Sequence, residues 1–151
     1  MLIVTLQTLF RRELEKLKQE ISQYQAEHHI WKIDKNIANS AGNLCLHLVG
    51  NLNHFIGKIL GDTDYVRDRE AEFSSKDIPQ ATLVQMIEDT IITVEKSLGK
   101  LNAEALQKTY PVEVFGYQMT TEFFLVHLAM HLDYHLGQIN YHRRLLDGIV
   151  E

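Results

Sequence analysis

Cysteine occurs once in the 151 residues, at Cys45. A single thiol excludes an internal disulfide framework, and it excludes thiolate-rich zinc sites. On a helix it points roughly 200° away from His47, two residues on. A buried small apolar residue is therefore the expected role, ahead of a nucleophile. An excess of positive charge is also missing. The formal net charge is −5, whereas a nucleic-acid surface shows a basic stripe. Arg11-Arg12 and Arg143-Arg144 are the only adjacent arginines, and they are expected to decorate solvated helix faces. No hydrophobic run approaches the length of a membrane span. The opening residues 1–6 are too short an apolar stretch for a signal peptide. The expectation is a cytoplasmic protein with neither nucleic-acid nor membrane partners.

What remains is a helix-forming chain. Its length suits one domain, residues 1–151, with a real core. Four segments carry helical periodicity. The first covers about 2–24, with Leu6, Phe10, Leu14, Leu17 and Ile21 as its apolar stripe and Glu13 among the charged residues opposite. Residues 26–38 are less regular and read as a connection, with room for a short helical turn. Ser40 is a good N-cap for a second helix reaching about residue 60, with Gly61 at its C′ position. Residues 62–78 are polar and charged, and read as a long crossing connection. Pro79 fits the first turn of a third helix. That helix carries Leu83, Met86, Ile87, Thr90, Ile91 and Val94 on one face and ends near Gly99. Residues 102–119 are expected to form a packed loop with some extended pairing. Thr120 or Thr121 caps the fourth helix, which runs to about residue 146, with Gly148 as a C-cap candidate. The predicted fold is all-α, a four-helix bundle with a long crossover between helices 2 and 3.

The second and fourth helices carry polar stripes where apolar residues flank them. Asn43, His47, Asn51 and His54 are spaced by four, four and three residues, within about 80° of arc. His127, His131, His135, Gln138 and His142 do the same on the fourth helix. Six of the eight histidines thus fall on two faces. Buried without partners, such groups cost a few kcal/mol each. A metal ion removes that cost, and so do hydrogen bonds between the stripes. Neutral imidazole is a common transition-metal ligand, and two rings one turn apart can converge on one ion. The pattern is not that of a metalloprotease, because Leu132 stands where His-Glu-x-x-His needs its glutamate. Nor is it a di-iron carboxylate bundle, since neither histidine face holds a glutamate.

The segments Ser40-Ala41-Gly42-Asn43-Leu44-Cys45-Leu46-His47-Leu48-Val49-Gly50-Asn51-Leu52 and His131-Leu132-Asp133-Tyr134-His135-Leu136-Gly137-Gln138-Ile139 resemble the DinB-like superfamily. This is the small DNA-damage-inducible family, not the polymerase of the same name. The similarity is closest to its uncharacterised members. It implies a four-helix bundle, often dimeric, holding one divalent metal through one histidine of the second helix and two of the fourth. By position these are His47, His131 and His135. His127 and His142 fall off that motif. Some members resemble transferases that use low-molecular-weight thiols.

The resemblance therefore implies metal-dependent thiol transfer to a small-molecule substrate, with catalytic residues unassigned. Three nitrogen ligands leave a position open, as in catalytic rather than structural sites. Asn51, His54, His127 and Gln138 are the expected supports of ligands or substrate. Two alternatives stand beside it. One is metal-dependent hydrolysis, with His54 or His127 as base. The other is a non-catalytic dimeric module. Ligand type does not choose among Zn, Ni, Fe and Cu.

Overall fold

The computed structural model describes residues 2–148. The chain is an all-α helical bundle. Among the described residues it has six α-helices and no strand. α1 (Leu2–Ser22) buries Leu6, Phe10, Leu14, Leu17 and Ile21 as its spacing predicts. Glu13 departs from expectation. It lies at the edge of that stripe and is only 5% exposed. Arg12 Nε and Lys16 Nζ donate to its carboxylate and hold its pKa down against burial, which raises it.

The connection after α1 contains a 3-10 turn, Glu27–Trp31. Asp147, at the far end of the chain, anchors it. Its carboxylate accepts from the backbone N–H of Gln25 and Ala26 and faces His29 Nδ1 at 3.1 Å. α2 (Ala41–Leu52) follows, with Ser40 Oγ accepting from Asn43 N. All twelve of its residues are buried, including Cys45 as expected. Gly42 is needed because a Cβ there would lie 2.6 Å from the Trp31 ring.

α2 does not run on as α-helix to residue 60. It widens into a π-helical segment, Asn53–Lys58. The side-chain amide of Asn53 donates to Val49 O and Thr90 Oγ1, tying this turn to the helix that carries Thr90. The left-handed residue at the end is Asp62 (φ 55), not Gly61. Gly61 serves close packing instead, because a Cβ there would lie 2.0 Å from Ser97 Oγ.

The crossover 62–78 contains a short helix the periodicity did not reveal, α3 (Arg69–Ser74), capped by Asp68. α4 (Gln80–Gly99) follows Pro79 and buries Leu83, Ile87, Thr90, Ile91 and Val94. A second unexpected helix, α5 (Ala103–Gln107), precedes an isolated antiparallel bridge between Thr109 and Thr120. That bridge is the whole of the extended pairing expected there. α6 (Thr121–Leu146) starts where Thr120 Oγ1 accepts from Phe123 N. α1 packs on α4 and α6, and α2 packs on the same two from the other side. α3 lies against α2. No helix among the described residues is long and apolar enough to cross a membrane.

Candidate metal centre

α2 and α6 pack with their histidine stripes facing. His47, His131 and His135 each bring a ring nitrogen within 4.8 Å of the others. His131 Nε2 lies 3.1 Å from His47 Nε2 and 3.1 Å from His135 Nε2. His47 is buried, and the other two are half-buried.

The hydrogen-bond partners decide where the protons are. His47 Nδ1 is 3.0 Å from Glu72 Oε1. An ionised carboxylate only accepts, so Nδ1 carries the proton and Nε2 is a bare lone pair. His135 Nδ1 donates likewise to Gln138 Oε1 at 2.7 Å, and its Nε2 is bare. His131 Nε2 sits between these two lone pairs. One N–H there points at one of them and leaves the other without a donor. A cation among the three nitrogens satisfies all of them. Tetrahedral ligands at about 2.0–2.1 Å place their nitrogens about 3.3 Å apart, close to the separations here.

The electrostatics agree. Burial, then the neighbouring histidines, push the pKa of His131 down to about 4. Burial also lowers that of His135, against the bond to Gln138. Both rings are therefore neutral near pH 7, the form that binds metals. Glu72 is held ionised. Burial raises its pKa, but hydrogen bonds from His47 and Arg67 outweigh this and lower it. The donor set fits a divalent transition metal.

The expected supporting residues divide. Gln138 bonds His135 directly. Asn51 is buried one turn from His47, and its Oδ1 has no protein partner among the described residues. His131 Nδ1 shares that condition. His127 lies outside the cluster and forms its wall. It stacks on His131 at 6.3 Å and meets Phe115 at 4.7 Å between ring centroids. His54 packs on Phe55, and its pKa is lowered by burial and by Arg67. His142 belongs elsewhere, with Tyr24 Oη donating to its Nδ1 and its Nε2 donating to Lys32 O. Asn43 faces the crossover, where its Nδ2 donates to Glu72 O and Ser75 O.

Glu72 and Arg67 are the residues that sequence reasoning missed. Both come from the crossover, where six residues of helix give no readable period. A groove of about 1150 Å³ between α1, α6 and the connection before α2 reaches the site from one side. His135 and Gln138 stand in its wall with Leu44, Tyr134, Tyr141 and Leu145.

Fold and site together define a helical-bundle protein with a three-histidine cluster able to hold a metal. More particularly, the chain belongs to the family described as "Protein of unknown function (DUF1572)", whose model matches residues 2–149. That family lies within the DinB/YfiT-like group. No curated protein matches the sequence.

Proposed function

We propose that this is a DinB-like metal protein, one four-helix-bundle domain with the 62–78 crossover, in which His47, His131 and His135 hold one divalent transition metal. The observation that carries this reading is the convergence of three Nε2 atoms, two of them with tautomers fixed by Glu72 and Gln138. When bound, such an ion supplies Lewis-acid chemistry and favours the anionic form of a donor such as a thiol.

Metal-dependent thiol transfer to a small molecule is the reaction we favour. Activation of water normally calls for a nearby base. The carboxylate beside the cluster, Glu72, is fully engaged by Arg67 and His47. A thiol ionises far more readily and needs less help. The groove beside His135 is where we place the substrate. The residues' own tasks are modest: Gln138 and Glu72 orient imidazoles, and Phe115, Phe124 and His127 wall off water.

The test is elemental analysis of protein purified without an affinity tag, followed by turnover assays with and without low-molecular-weight thiols. One equivalent of metal and strict thiol dependence are expected. Turnover of esters or amides without thiol favours hydrolysis, with the half-buried His54 as base. No metal and an unchanged fold after chelation favour a non-catalytic module.

A homodimer is part of the reading. Phe123, Val126 and Met130 line one face of α6 at helical spacing, outside the groove, each between 41% and 67% exposed. Such a continuous apolar stripe suits a second copy. Light scattering should give twice the chain mass, and Met130→Glu should halve it.

A further inference from the structure

We propose that Glu72 is the positioning residue of His47 in the three-histidine cluster, fixing its tautomer and thereby linking the seating of the crossover to metal loading. This rests on the metal reading above and assigns a regulating part of that site.

Glu72 is only 5% exposed, although it stands on a six-residue helix in the connection. Three hydrogen bonds from two side chains hold its carboxylate. Oε1 accepts from His47 Nδ1 at 3.0 Å and from Arg67 Nη2 at 2.8 Å, and Oε2 accepts from Arg67 Nε at 2.8 Å. The bidentate pairing fixes the plane of the carboxylate, so Oε1 faces the imidazole at a set angle. Arg67 is pinned in turn over the Phe55 ring, 5.5 Å from its centroid. The backbone is pinned as well, by the two bonds from Asn43 Nδ2 on α2.

The facing helix is cut to receive it. A Cβ on Gly50 would lie 2.0 Å from Glu72 Oε2 and 2.6 Å from its Cδ. Glycine in a helix interior is unfavourable, and here the space it leaves is filled by a carboxylate aimed at a candidate ligand. A buried ion pair alone is a poor source of stability. The third contact, to His47, gives the arrangement a purpose. A ligating histidine commonly donates its second N–H to a carboxylate, which fixes the ring and raises its basicity. By reciprocity, a cation on Nε2 makes Nδ1–H a stronger donor and tightens the hold on Glu72 and α3.

The experiment uses the full chain with labelled histidine nitrogen, with and without Zn²⁺. In metal-free wild type, long-range proton–nitrogen correlation should show His47 protonated at Nδ1. Glu72→Gln and Gly50→Ala should each weaken Zn²⁺ binding by about 10–100-fold in competition with a chelator. Glu70→Ala, on the same helix but exposed, should leave binding unchanged. Zn²⁺ should slow amide exchange across residues 69–74 in wild type and much less in Glu72→Gln. An Nε2-protonated His47 in wild type overturns the proposal, as does Zn²⁺ affinity within twofold of wild type in both variants. Should wild type bind no Zn²⁺, the metal reading fails, while the tautomer of His47 still decides whether Glu72 sets it.

Discussion

A buried histidine without a partner for one nitrogen is an expensive residue. The Nδ1 atom of half-buried His131 is itself buried and has no partner among the described residues, and its Nε2 faces two lone pairs. An unsatisfied buried polar atom costs about 1–3 kcal/mol. His131→Leu should therefore abolish metal binding and yet leave the metal-free protein as stable as wild type, or more so. Elemental analysis and urea unfolding in the presence of a chelator check both halves. A metal-free variant markedly less stable than wild type would show that His131 is a structural residue. At this scale much was legible. Spacing places His47 on one stripe and His131 and His135 on the other, and the structure brings the three together; their choice as a ligand set comes from the family resemblance. Gln138, an expected support, bonds His135. Glu72 was not legible. It reaches the cluster through tertiary packing, and nothing in its neighbours' spacing points it inward. Asn43, on the same stripe of α2, holds the crossover through Glu72 O and Ser75 O, a contact that its spacing does not foretell.

Helix ends were read well where a side chain caps them. Ser40 and Thr120 each accept the backbone N–H three residues on, as short hydroxyl residues before an apolar run suggest. Ser40 Oγ also donates to Asn43 Oδ1 at 2.7 Å. Ser40→Ala should cost about 1 kcal/mol by urea unfolding, with a further loss from freeing Asn43. No measurable change would mean that the cap is supplied by other groups. α3 and α5 escaped notice because six and five residues are too few to show a period. The π-helical turn after Leu52 escaped because a single wide turn leaves the apolar spacing of the helix almost unchanged; Asn53 within it bonds Thr90 on another helix. Gly61 was misread as a helix stop. Its small size is required by Ser97, and Asp62 takes the left-handed conformation.

For the molecule as a whole, acid is the weak point. His131 has a pKa near 4 in the fold against an ordinary 6.5. His142 is also lowered, by burial, although the Lys32 carbonyl and Asp147 oppose this and His29 adds to it. Below about pH 6.5 the unfolded chain binds protons that the folded chain refuses, so stability is full above that pH and falls toward pH 4. Asp147 and Glu72 have lowered carboxyl pKa values, opposed by burial but carried by their hydrogen bonds. Their contributions also vanish on acidification, below the histidine range. The thermal midpoint of metal-free protein should rise between pH 4 and 6.5 and then level. A flat or falling profile over that interval would mean that the buried imidazoles are not held neutral.

Diffraction at an absorption edge of the metal found by elemental analysis is the decisive measurement. A single anomalous peak is expected about 2.0–2.1 Å from the Nε2 atoms of His47, His131 and His135. Absence of any peak in crystals of the metal-soaked protein, or one bound by other side chains, would contradict the assignment.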